Sequence, residues 1–200
     1  MTIRRILIAT ACAGAAALAL GAAWAEEKDV FDFIPQGGRT LLARVLGTHP
    51  PAQEVNAMLA EKHSRDEWRQ YLRGHKAQMA ALGKLGDKEL ETLADYMAFN
   101  MPLPAGKVNP AANQAALEKA LPIDGRDMAL EKCQGCHIIT VVITQNRTRE
   151  AWLGTMNKPS HVMIKLSKEQ REQLASFLVL NAGIPIDDVP PELRAGGASY

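Results

Sequence analysis

Apolar positions along this chain recur with a helical period. Leu174, Phe177 and Leu178 stand at i, i+3 and i+4 with Asn181 at i+7, which puts the first three on one apolar face. Ser167-Lys168-Glu169-Gln170 precedes them in the pattern of a capping box, which satisfies free N–H groups at a helix start. Leu90, Leu93 and Met97 repeat the helical spacing upstream, and Ser64-Arg65-Asp66-Glu67 is a second capping box just ahead of Trp68. Thr148 is placed to cap a further helix with Trp152 on its buried side, and Gly125 to Lys132 reads as helix. Strand patterns are scarce, so the expected fold class is all-α.

The same pattern contains a repeat. Lys84-Leu85 and Leu93 to Asn100 align with Lys165-Leu166 and Leu174 to Asn181 at an offset of 81, and Pro104 falls on Pro185 at that offset. Arg65 and Trp68 fall on Arg149 and Trp152 at 84, and Gly38-Arg39 on Gly125-Arg126 at 87. Two related halves follow, 38–104 and 125–185, joined by an Ala/Asn/Pro-containing linker over 105–124.

One apolar stretch breaks the periodicity. Arg4 and Arg5 precede an uncharged run from Ile6 to Trp24 that closes on Ala23-Trp24-Ala25, the small-x-small pattern of a cleaved secretory signal peptide over residues 1–25. Its Ala and Gly content and this ending argue against an uncleaved anchor. Cys12, with only a short apolar run before it and no Leu three residues ahead, argues against a lipoprotein. A mature chain of 175 residues starting at Glu26 is expected, periplasmic and without a membrane span. It carries 21 basic against 22 acidic residues once Arg4 and Arg5 are removed, so no basic face invites nucleic acid.

Cleavage removes Cys12 and leaves Cys133 and Cys136, followed at once by His137. On a helical turn, thiols at i and i+3 project to one side and can reach both vinyl groups on one edge of a porphyrin, while the next residue falls under the iron. Cys-x-x-Cys-His is accordingly a haem c attachment motif, with His137 as the proximal axial ligand. Gly135 adds little bulk where backbone must pass the porphyrin edge. The competing readings are a redox-active disulfide, a structural disulfide and half a zinc site. The first expects a strand before the motif, the second has no use for His137, and the third needs a second ligand pair with no Cys left to supply it.

From Gly125 to Pro185 the chain resembles a class I c-type cytochrome domain: a helix ending in the haem motif, a loop, a middle helix, a ligand-bearing loop and a C-terminal helix. The resemblance implies that the last helix crosses the first with an aromatic at the contact, here Phe177. It also implies two tandem cytochrome c-like helical domains, the first lacking haem, because the segment facing Cys133 to His137 is Leu46-Gly47-Thr48-His49-Pro50, without a thiol. One covalently attached haem per chain is expected. A flexible tail is expected over 186–200, and His49, His63 and His75 as surface or structural histidines.

Three side chains compete for the distal face of the iron. His161 stands 16 residues before Phe177, Met163 stands 14 before it, and Met79 in the first half stands 17 before Tyr96, so register favours His161. Methionine is the usual sixth ligand of the resembled family, which favours Met163, with Met156 third. Met163 is the expected ligand. The implied function is single-electron transfer between a periplasmic dehydrogenase or other donor and a respiratory acceptor, without enzymatic turnover of its own. The alternative is a haem enzyme or gas sensor whose distal ligand is displaceable.

Overall fold

The structure, a computed structural model, describes residues 29–194. The leader expected over 1–25 and the end of the tail lie outside the described residues. Every regular element among the described residues is helical. Ten α-helices follow in order: α1 (Gly38–Leu46), α2 (Ala52–Ala60), α3 (Arg65–Gly74), α4 (Ala80–Gly83), α5 (Asp87–Asn100), α6 (Gln114–Ala120), α7 (Gly125–Met128), α8 (Thr140–Ile143), α9 (Arg149–Met156) and α10 (Lys168–Asn181). The sequence signals act where they were read. Ser64 and Glu67 close a reciprocal box at the start of α3, Ser167 and Gln170 do so at α10, and Thr148 caps α9 by accepting from the Ala151 N–H.

Apolar burial gathers in two clusters. The first holds Leu41, Leu42 and Leu46 of α1, Trp68 of α3 and Leu90, Leu93 and Met97 of α5, all fully buried. The second holds Met128, Ala129, Ile143, Trp152, Leu174, Phe177 and Leu178. Residues in sequence order do not simply sort into these clusters. Ile34, before α1, is buried in the second one, where Phe31 and Phe33 pack beside it and the Arg126 guanidinium donates to the Phe31 carbonyl at 3.0 Å.

Two segments are more structured than their composition predicted. The 105–124 linker carries α6, capped by Asn113, and places Leu117 and Leu121 in the first core. The tail is packed as far as it is described: Val189 is buried in the second core, the Thr140 hydroxyl donates to the Leu193 carbonyl at 2.5 Å, and Arg194 donates to the carbonyls of Val189 and Asp187. Pro and Gly content suggested mobility there, and tertiary burial overrides it.

Positions that align in the repeat make matching contacts. A Cβ on Gly38 would lie 2.1 Å from Tyr96 Cβ, and one on Gly125 would lie 2.1 Å from Phe177 Cβ, so in each half the first helix crosses the last at backbone contact. The α3–α5 ion pair Arg65–Glu91, at 3.4 Å, recurs between α9 and α10 as Arg149–Glu172, at 2.6 Å. Asn100 donates to the Tyr96 carbonyl and Asn181 to the Phe177 carbonyl. The halves meet along α5 and α10, where the Ser176 hydroxyl donates to Asp95 at 2.6 Å and Asn181 bonds Thr92. Ser176 is the repeat partner of Asp95, so this bond joins two positions that align in the repeat.

One carboxylate ties the second joint between the halves. Asp124 accepts from the Asp127 N–H at 3.0 Å, capping α7, and from the Arg39 N–H at 2.8 Å, which serves the first turn of α1. Gly37, its repeat partner, has no room for a side chain, since a Cβ there would sit 2.0 Å from the Asp124 carboxylate.

Candidate functional site

The Cys-x-x-Cys-His motif lies at the end of α7, which does not stop at Met128 but widens into a π-helical turn over Ala129–Cys133. Such turns re-aim side chains by inserting one extra residue per turn, and they concentrate at functional sites. The backbone then folds back on itself, with the N–H groups of Cys136 and His137 both donating to the Cys133 carbonyl, at 3.2 and 3.0 Å. Cys133 is half-buried and Cys136 exposed, both as free thiols.

Cys133, Cys136 and His137 line one cavity of about 380 Å3. That volume is within the roughly 300–1,000 Å3 typical of small-molecule and cofactor sites. Its wall is built from Trp152 and Met156 of α9 and Leu174 and Leu178 of α10, one helical turn apart in each case. Leu174 and Leu178 belong to the face that spacing predicted as apolar, and Trp152 was expected on the buried side of its helix; Phe177, the third residue of that face, packs instead against Gly125. Val142 and Ile164, which carried no sequence signal, and Leu166, the repeat partner of Leu85, complete the apolar lining.

The distal candidates separate clearly. In the loop between α9 and α10 the N–H groups of His161 and Val162 both donate to the Lys158 carbonyl, and that of Ile164 donates to the His161 carbonyl. This turn directs His161 and Ile164 to the cavity and leaves Val162 and Met163 outside it. Met163, the ligand expected from family habit, is 84 % exposed and does not line the cavity. His161 and Met156 do line it. The His161 ring faces that of His137 with centroids 6.1 Å apart and planes 22° from parallel.

Two polar features lie beside the cavity wall. The Trp152 indole Nε1 is buried without a hydrogen-bond partner, and the Arg147 guanidinium lies 5.2 Å above the ring. Neither is open to the space itself, since the indole Nε1 is fully covered and Arg147 is not part of the lining. Trp68 at the matching position is also unpaired and lines no part of this cavity. Burial, and then the neighbouring Cys136, pushes the Cys133 thiol up to about 11. A thiol–disulfide catalyst needs the opposite, a thiolate stabilised near neutral pH.

Cysteine and histidine side chains thus surround one space without converging on one point. Among the described residues no group of three or more His, Cys, Asp or Glu side chains is placed to hold a single metal ion. A flat macrocycle attached at one edge and ligated from its faces fits this spread of donors better than a zinc ion does. In the first half the matching positions Leu46, Leu72, Leu93 and Met97 are fully buried in continuous core. Of the remaining histidines, His49 is exposed, His63 bonds Glu61 at 2.8 Å and abuts Trp68, and His75 stacks on Tyr71 while bonding its carbonyl.

Sequence reasoning missed Arg171 and Ser160. Arg171 reaches from α10 to the carbonyls of Met156, Val162 and Ile164, at 2.5, 3.3 and 2.8 Å, and so gathers the loop that carries His161. No sequence pattern marks such a clamp, because its partners are backbone atoms. Searches against protein families, curated proteins and solved structures match nothing to this chain.

Proposed function

We propose that this chain is an exported monohaem c-type cytochrome, a tandem of two cytochrome-like helical halves of which only the second binds haem. The observation that carries the proposal is the placement of Cys133, Cys136 and His137 on one largely apolar cavity of about 380 Å3. Cys133 and Cys136 would each add sulfur and hydrogen across one vinyl double bond, giving two thioethers with no external oxidant. His137 would supply the proximal nitrogen. Leu174 and Leu178 of α10 would exclude water from the macrocycle face.

Bound there by Cys133, Cys136 and His137, haem would supply a one-electron couple between a donor and an acceptor. Attachment leaves Cys136 and the motif edge at the surface, which provides a short path for an electron. The expected partners are a periplasmic dehydrogenase or other donor and a respiratory acceptor. No helix among the described residues is long and apolar enough to cross a membrane.

The test is a pyridine haemochrome assay on protein exported with haem-maturation machinery, read against protein concentration. One haem per chain, resistant to acid-acetone, is expected. Two haems would overturn the single-site arrangement, and extractable or absent haem would overturn thioether attachment.

A further inference from the structure

We infer that the iron is held between two histidines, His137 and His161, and that Ser160 and Arg171 set the second of them in place; this rests on the cytochrome reading. An imidazole nitrogen lies about 2 Å from a metal it ligates and about 1 Å from the centre of its own ring. Two imidazoles on opposite faces of one metal therefore have ring centres about 6 Å apart. The ring centres of His137 and His161 are 6.1 Å apart, and both residues line the cavity that the two thiols enter; ligation would need each ring turned edge-on, so that a nitrogen and not the ring face meets the metal.

The surroundings of His161 suit a ligand. Its Nδ1 lies 2.9 Å from the Ser160 hydroxyl, which leaves Nε2 free. A histidine that binds a metal through one nitrogen usually donates its other N–H to a fixed partner, which sets the tautomer and the ring orientation. The loop itself is held by Arg171, whose guanidinium collects the carbonyls of Met156, Val162 and Ile164 around this residue. Met156 occupies a different role: one helical turn after Trp152, it is 6 % exposed and forms wall. Ligation by a second nitrogen in place of a thioether stabilises ferric iron and lowers the reduction potential. The partners of this chain would then be low-potential couples.

The experiment uses full-length exported holoprotein. Wild type should be low-spin in both oxidation states, lack the near-infrared band of sulfur-to-iron charge transfer, and bind carbon monoxide poorly. His161→Ala should become high-spin and bind carbon monoxide readily at unchanged haem content. Met156→Leu and Met163→Leu should keep the wild-type spectrum. Ser160→Ala and Arg171→Gln should raise carbon monoxide binding without abolishing the low-spin signal, a response that loss of fold stability alone would not give. If His161→Ala does not accumulate, near-infrared magnetic circular dichroism of the wild type decides alone between two nitrogens and nitrogen plus sulfur. A sulfur band in wild type, or an unchanged low-spin spectrum in His161→Ala, overturns bis-histidine ligation and leaves the cytochrome reading intact. Absence of covalent haem overturns both.

Discussion

Asp124 shows how much one buried side chain can carry. Burial first, and then the nearby Asp127 carboxylate, push its carboxyl up to about 6, although two backbone N–H groups favour the ionised form. Asp95, buried at the α5–α10 contact, is shifted upward for the same leading reason. In an unfolded chain aspartate titrates near about 3.9. The folded state therefore holds more protons between about pH 4 and about pH 6, and the contribution of Asp124 to stability is full below that window and is lost as pH rises through it. Exposed carboxylates at helix starts act in the opposite sense; Glu67 is held below the usual range chiefly by the Ser64 N–H. The difference between wild type and Asp124→Asn isolates the effect: urea midpoints should converge or cross as pH rises from 4 to 7, with the wild type losing more. Asp124→Ala removes both caps and should cost about 1–3 kcal/mol at pH 5. Gly125→Ala tests the neighbouring contact. Its new Cβ would meet Phe177 at 2.1 Å, so α7 and α10 must separate, and a loss of roughly 1–3 kcal/mol in denaturant titration is expected.

Among the elements, α5 and α10 organise the two halves by different energetic means on their two sides. The inner side of α5 is apolar, with Leu90, Leu93 and Met97 fully buried. Leu93→Ala should destabilise the first half by roughly 2–5 kcal/mol in thermal or denaturant unfolding. On the other side Glu91 receives Arg65, Arg69 and Arg73, one arginine per turn of α3, at 2.8 to 3.4 Å. These arginines are a third to a half exposed, so screening keeps each pair near about 0–1 kcal/mol. Glu91→Gln should therefore cost less than Leu93→Ala when both are measured at equal ionic strength. The contribution of α6 is of the apolar kind. Its single fully buried residue, Leu117, seals the first core against α1, and Leu117→Ala should lower the midpoint comparably to Leu93→Ala.

At the level of the whole molecule, the halves are alike in frame and unlike in filling. The first closes its core with Leu46, Leu72 and the α2 residues Val55 and Met58, whereas the second leaves a cavity of about 380 Å3 beside Cys133, Cys136 and His137. An unfilled apolar space forfeits packing. If the cavity holds a covalently attached haem as proposed, a Cys133→Ala/Cys136→Ala variant should lose most of it and loosen selectively. Hydrogen exchange should speed up over α9 and the 157–167 loop and stay near wild type over α1 and α5. Uniform acceleration would place the two cores in one cooperative unit joined through Asp95, Ser176 and Asp124.

Local signals were sufficient for much of this. Ser64, Thr148 and Ser167 cap helices as their spacing predicted, because a cap depends on residues three apart in the chain. The apolar stripe of α10, the repeat register and the grouping of Cys133, Cys136 and His137 were legible for the same reason: each is a short-range or periodic property of the sequence. What could not be read is whatever depends on residues distant in the chain meeting in space. Leu117 and Val189 are buried in segments whose composition suggested a linker and a mobile tail, since burial depends on what packs against them. The distal face of the cavity is the sharpest case. Met163 and His161 are two residues apart, register favouring the histidine and the resembled family the methionine, and the turn on the Lys158 carbonyl, held by Arg171 from the next helix, brings only the histidine to the cavity beside His137.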